Sequence, residues 1–159
     1  MEIFSFSEKW KNSHTTFAKK HFNNRRKRVN EDYISWKFGG LFPEEPISLL
    51  LAIENDNVIG QLGLVPCKVQ MGAETVSAHW ACDLMVDLDY RGKGVANLLY
   101  KEGLKNKLTF GSDPSPAADK SMRKAGFEPL IAPWKFFLPL KLSAITKKKF
   151  KKLTPIFEI

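Results

Sequence analysis

The sequence predicts a single α/β domain of the α+β kind, with a mixed, mostly antiparallel central sheet flanked by helices. Three observations predict it. First, three strand-like runs, Ile47 to Ile53, Val58 to Val69 and Thr75 to Val86, follow one another across short polar turns, as an antiparallel meander does. Second, the last of these runs passes through Arg91-Gly92-Lys93-Gly94 into Val95, Leu98 and Leu99, which are apolar at helical spacing. It is followed by the short run Leu108-Thr109-Phe110. A helix joining two strands makes them parallel. Third, a chain of 159 residues suits one domain with its own core.

Taken in order, Ser7 to Phe22 reads as a first helix with Trp10, Phe17 and Ala18 on one side. A basic cluster follows: Lys19, Lys20, His21, Arg25, Arg26, Lys27 and Arg28. Short charge runs of this kind are usually a solvated helix end and loop, though they can also touch phosphates. Asn30 before Glu31-Asp32 reads as a cap with acids in the first turn, opening a short helix that stops at Gly39-Gly40. Its aromatics, Tyr33, Trp36 and Phe38, read first as core. Asn55-Asp56-Asn57 and Met71-Gly72-Ala73-Glu74 are the meander's turns. Pro66 inside the second strand implies an edge, a bulge or a break. The helix after Gly94 runs to about Lys107. Ser112 to Pro116 opens another, with Pro116 suited to its first position, and Gly126 ends it. Glu128 to Leu140 reads as one or two further strands broken at Pro133. The domain is expected over residues 1–142. The lysine-rich tail, 143–159, reads as a linker toward a second domain, a frayed helix or a weak membrane-surface contact.

The stretch that carries chemistry is Leu84 to Leu99. It combines a strand end, two glycines beside two cations, and a helix start. The first amides of a helix have no intrahelical partner and carry the positive end of its dipole. Glycines let an anion approach that backbone, so the combination suits a pyrophosphate. A dinucleotide fingerprint shares this physics. However, its third glycine falls on Asn97, and the fingerprint normally opens a domain, whereas half of this chain precedes the motif. A glycine turn that binds nothing is the plain alternative.

At Arg91-Gly92-Lys93-Gly94-Val95-Ala96 the chain resembles the GNAT superfamily of acyl-CoA-dependent N-acyltransferases, whose motif is Arg/Gln-x-x-Gly-x-Gly/Ala. A second block, Lys124-Ala125-Gly126-Phe127, also resembles the family's, in the expected order. The resemblance implies a splayed pair of parallel strands, ending near Val86 and Phe110, with the pantetheine arm of acetyl-CoA or another acyl-CoA in the gap. The backbone of Leu84, Met85 and Val86 would bind the pantetheine. The amides of Arg91, Gly92, Lys93, Gly94, Val95 and Ala96 would bind the pyrophosphate. The implied reaction is direct attack of a primary amine of a small molecule, sugar or peptide on the thioester.

That reaction needs a base. Asp83 is the first candidate, because an acid on an apolar strand is costly unless used or paired. His79 is the second, and Glu54, at a strand end, the third. Strict alternation places His79, Ala81, Asp83 and Met85 on one face of the strand, a register that a bulge would alter. In one respect the chain departs from the family. Met122 stands where a tyrosine acid is usual, and Ser115 where asparagine is common. A non-catalytic acyl-CoA binder is therefore a rival reading.

Composition sets the remaining bounds. The net charge of +8 favours acidic partners without choosing among them, and a basic nucleic-acid-binding protein is the weaker rival. Two cysteines, Cys67 and Cys82, do not make a disulfide framework, and a reducing cytoplasm is the expected compartment. No signal peptide, membrane span, zinc spacing, nucleophile elbow or Walker loop is legible, so no metal is expected.

Overall fold

A computed structural model describes residues 1–22, 30–40, 45–105 and 107–130. Arg25 to Arg28, most of the run from Glu128 to Leu140 and the lysine tail lie outside the described residues, as does the expected boundary at 142. Residues Met1–Glu128 form one compact unit.

The described unit contains a five-stranded sheet in the order β1 (Glu2–Ser5), β2 (Leu49–Glu54), β3 (Asn57–Met71), β4 (Glu74–Val86) and β5 (Leu108–Phe110). The first four strands pair antiparallel and β5 runs parallel to β4. The α-helices among the described residues are α1 (Lys11–His21), α2 (Glu31–Phe38), α3 (Val95–Leu104) and α4 (Pro116–Ala125). Strand β1 is an addition to the sequence reading. It pairs Ile3 with Ala52 and Phe4 with Leu51 at the edge of the sheet.

Capping follows the side chains. The Asn30 carboxamide accepts from the Asp32 amide at 2.7 Å, and the Ser115 hydroxyl from the Ala118 amide at 3.3 Å. Each such cap contributes about 1 kcal/mol. The two hairpins turn where expected, with Asn55 and Asp56 both left-handed. Pro66 lies where β3 has run beyond β2, whose pairing ends at Gly63, so β3 there has only β4 beside it. A residue without an N–H is tolerated on such an edge.

The sheet is apolar on both faces. Leu50, Ala52, Ile59, Leu62, Leu64 and Val86 face α3 and α4, where Val95, Leu99, Tyr100 and Met122 cover them. Leu49, Leu51, Ile53 and Val58 face α1 and α2 beneath Trp10, Phe17, Ile34 and Phe38. Phe38 comes so close to Gly63 that a Cβ there would run into its ring.

One irregularity in β4 shapes the rest. Met85 pairs with Gln61 and Cys82 with Gly63, so Asp83 and Leu84 together oppose Leu62 alone. This is a β-bulge, with Asp83 in the left-handed region at φ 51°. It overturns strict alternation. Leu84 joins Ala81 on the α3/α4 face, whereas Met85 and Cys82 turn to the α1/α2 face. No apolar–polar pattern records a bulge, because the extra residue shifts the period by one.

Candidate active site

Strands β4 and β5 pair only at Ala78–Leu108, His79–Thr109 and Trp80–Phe110. Beyond Trp80 the two strands part, and from Ala81 to Val86 one edge of β4 has no strand beside it among the described residues. A cavity of about 790 Å³ opens there, walled by β4 from Ala81 to Val86, the turn at Tyr90 to Gly94, the start of α3, the segment after β5 and α4.

The floor at the turn is bare backbone. Gly92 and Gly94 have φ of 79° and 84°, and a Cβ on either would meet nothing within 4 Å. Gly94 caps α3 without a side chain. The first intrahelical bond is made by the Leu98 amide to the Gly94 carbonyl at 3.1 Å, so the amides of Val95, Ala96 and Asn97 precede it. Two other amides of the turn are already used: Arg91 donates to the Leu88 carbonyl and Lys93 to the Tyr90 carbonyl. Arg91 Nε also donates to the Val86 carbonyl at 3.3 Å. The Lys93 ammonium stands over the Tyr90 ring, 4.8 Å from its centroid, and Lys93 does not line the cavity. The Asn97 side-chain oxygen, on α3 at the cavity wall, is buried without a hydrogen-bond partner among the described residues.

Long-range contacts hold the bulge from the opposite face. Lys37 Nζ on α2 donates to Asp83 Oδ2 at 2.7 Å, and both side chains are largely buried. Burial lowers the Lys37 pKa, but the bond to Asp83 and the neighbouring Cys82 and Tyr33 outweigh it and leave it raised. Beneath them the Gln61 side chain donates to the Asp83 carbonyl at 3.3 Å and lies 2.9 Å from the Nε2 of buried His14. Tyr33 and Trp36 form an aromatic pair beside Lys37, and Trp36 is 77% exposed.

The three sequence-predicted bases therefore separate. Asp83 lines the cavity, paired to Lys37. His79 does not line it. It is buried among the β4–β5 pairs with neither ring nitrogen bonded among the described residues, and burial, then the Lys107 charge, lowers its pKa. Glu54 lies in a second cleft of about 520 Å³ between α1 and the β2–β3 turn, 3.8 Å from the Met1 amine, and its proximity raises the Tyr90 pKa. Leu84, Met85 and Val86 line the main cavity, as do Arg91, Gly92, Gly94, Val95 and Ala96. Met122 is buried in the α3/α4 core, and a Cβ on Gly111 would stand 2.7 Å from its Cε. The sequence reading did not single out Tyr100, a buried phenol in the cavity wall.

Comparison with known proteins agrees with this geometry. The family description "Acetyltransferase (GNAT) domain" matches residues 11–109. No curated protein sequence matches the chain. Among solved structures, a putative acetyltransferase from Agrobacterium tumefaciens superposes with a TM-score of 0.62 at 10% identity, over 87% of this chain and 100% of that one. The aminoglycoside N-acetyltransferase AAC(6')-Iy, in complex with the bisubstrate analogue CoA-S-monomethyl-acetylneamine, gives 0.59 at 14% identity, over 87% and 97%. An aminoglycoside acetyltransferase from an uncultured soil metagenomic sample, in complex with trehalose, gives 0.57 at 12%, over 88% and 95%. At such identities these likenesses speak for the fold, and the family match extends over most of the chain. The protein belongs to the GNAT acetyltransferase family.

Proposed function

We propose that this protein is an acyl-CoA-dependent N-acetyltransferase that acts on a primary amine of a small molecule, sugar or peptide. The observation that carries this reading is the open glycine floor of Gly92 and Gly94 at the end of a cavity that begins where β4 leaves β5. The donors suit a pyrophosphate in number and kind: first-turn amides of α3, the two glycine amides and the Arg91 guanidinium. The edge of β4 from Leu84 to Val86, which pairs with no strand among the described residues, suits an amide-bearing arm, which would lie there like an added strand. Acetyl-CoA bound in this way supplies an activated acetyl thioester.

The chain's own residues then have three tasks. The β4 edge and the glycine turn hold the acyl donor and exclude water from the parting of the strands. Asp83, at the bulge, accepts a proton from the acceptor ammonium, with Lys37 fixing its carboxylate. Tyr33 and Trp36, beside Lys37, offer flat faces on which a sugar or cationic amine would rest. His79 has no route to the cavity wall, so it is the weaker candidate for the base. The likeness to an aminoglycoside N-acetyltransferase in complex with CoA and with a bisubstrate analogue supports small polyamines and aminosugars as first acceptors to try.

Met122 and the Asp83–Lys37 pair favour one other reading, a domain that binds acyl-CoA without turnover. Thiol release from acetyl-CoA, measured against neamine, glucosamine, spermidine and a short peptide, separates the two. Turnover with any of them supports the enzyme. Tight acetyl-CoA binding with no thiol release beyond the no-acceptor rate supports the binder.

A further inference from the structure

Asp83, the left-handed residue of the β4 bulge, is gripped at two points. Lys37 holds its carboxylate, and the Gln61 carboxamide holds its backbone carbonyl at 3.3 Å. Gln61 is buried, and the other end of its side chain lies 2.9 Å from Nε2 of His14 on α1, which is buried too. A carbonyl only accepts, so the polarity of this chain is fixed. The Gln61 nitrogen donates to Asp83, and its oxygen accepts from His14 Nε2, which carries the proton. Phe6 packs edge-on against the His14 ring at 5.3 Å.

Gripping that carbonyl decides where the next amide points. Neither Asp83 nor Leu84 has a partner in the β3–β4 register, so the ladder does not set how the peptide between them faces. Gln61, on β3, sets it by drawing the Asp83 carbonyl to the β3 side. In a planar trans peptide the N–H points opposite to the C=O. The Leu84 N–H is therefore turned away from β3. It faces the side on which β4 has no strand among the described residues and the cavity opens. Gln61 is also the residue at which the ladder resumes, opposite Met85, so it anchors the bulge through backbone and side chain together.

We propose that Gln61, locked by His14, is a positioning residue: it fixes the Asp83–Leu84 peptide so that the Leu84 N–H stands in the cavity as a ready donor to the carbonyl oxygen of the acyl thioester. This rests on the proposed acyl-CoA reading. A donor set before the ligand arrives needs no reorganisation as charge builds on that oxygen. Without the Gln61–His14 pair the peptide is free to turn over, and its carbonyl would then repel the thioester oxygen.

The test reads the thioester carbonyl directly and needs no acceptor. Acetyl-CoA carrying carbon-13 at that carbonyl is bound to the protein and to Gln61→Leu, and its infrared stretch is recorded. The band should lie lower in the wild type, because a hydrogen bond weakens the C=O bond. The ratio of acetyl-CoA to CoA affinity should fall about threefold or more in Gln61→Leu, the worth of one hydrogen bond. CoA itself, which has no acyl carbonyl, should bind much as before. With an accepted amine, kcat should fall about tenfold or more. His14→Leu should share these effects, and His14→Gln, which keeps a donor near the Nε2 position, should recover most of the loss. Should Gln61→Leu fail to fold, Gln61→Glu keeps the shape and still accepts from His14, but its carboxylate cannot donate to Asp83, and it should show the same loss. Equal carbonyl bands in the wild type and the folded Gln61 variant, or an equal loss of both ligands, would overturn the role of Gln61 and leave acyl-CoA binding standing. Failure of acetyl-CoA to bind the wild type would overturn both.

Discussion

Lys37 Nζ and Asp83 Oδ2 lie 2.7 Å apart and join helix α2 to the one left-handed residue of β4. The pair does two things at once. It neutralises a carboxylate that is only 7% exposed, and it pins the bulge at which the strand turns its Leu84 to Val86 edge toward the cavity. The two halves separate by mutation. Asp83→Asn keeps a residue that tolerates the left-handed region, whereas Asp83→Ala adds backbone strain of roughly 1 kcal/mol. Both leave Lys37 without its partner, which costs about 3 kcal/mol for a buried pair. Urea unfolding should therefore rank wild type above Asp83→Asn above Asp83→Ala. Thiol release should fall at least tenfold in both variants. Full activity in Asp83→Asn would remove Asp83 as the base.

The glycine turn gives a sharper prediction with a built-in control. Gly94→Glu puts a carboxylate where the proposed phosphates lie and should weaken CoA binding at least ~100-fold, since like-charge contacts cost several kcal/mol. Gly72, in the β3–β4 turn, has a similar positive φ of 61° and equally open surroundings. Gly72→Glu thus carries comparable strain far from the cavity and should bind CoA as the wild type does. Equal affinity in the two variants, by calorimetric titration, would sink the phosphate assignment.

His79 is expected to be dispensable. Neither ring nitrogen has a partner among the described residues, so His79→Phe removes a desolvation cost and should hold or raise stability. It should also leave thiol release within a factor of about two. Loss of activity in a folded His79→Phe would return it to the list of bases.

Stability should depend on pH through the buried histidines. Burial lowers His14 despite its bond to Gln61, and burial with the Lys107 charge lowers His79. Below the ordinary histidine value of 6.5 the unfolded chain takes up protons that the folded chain resists, so stability falls as pH falls. Above 6.5 both states are neutral and the term vanishes. The melting temperature should be level from pH 8 to about 7 and drop toward pH 5.5, less steeply in His79→Phe. A flat profile would contradict the burial of both rings.

Asp87 carries a signature of the same sign at lower pH. The Lys20 ammonium at 2.7 Å, helped by the Asp89 amide and His21, holds its pKa down to about 2, from 3.8. Its contribution is complete above the unfolded value and is lost as pH falls through about 2. Lys20→Met should raise the Asp87 pKa, followed by carbon-13 carboxylate shifts in an NMR titration. No change would mean that Lys20 is solvated and not paired.

Much of this architecture is legible in the residues, for reasons that also mark where legibility ends. The run from Ala78 through Gly94 to Leu99 announces strand, turn and helix, because glycine punctuation and a change of apolar period are local signals. Ser115, Pro116 and Gly126 mark α4 for the same reason. The bulge at Asp83 is invisible, since composition does not say which residue of a strand is the extra one. Strand β1 is short and at the edge, and Ile3 and Phe4 alone do not make a period. The pairing of Lys37 with Asp83, and of His14 with Gln61, joins positions 46 and 47 residues apart, which a single sequence does not relate. Tyr100 had one signal, a phenol at a core position of the helix that opens at the glycine turn, and its place in the cavity wall appears only in the folded chain.

The measurement that bears most directly on the central claim is thermal unfolding with acetyl-CoA, CoA and NAD. A ligand at about 100 times its dissociation constant stabilises by ~2.7 kcal/mol, which is several degrees in a domain of this size. The account predicts that shift with acetyl-CoA and with CoA, none with NAD, and none with any of them in Gly94→Glu. A melting curve unmoved by either CoA species would contradict it.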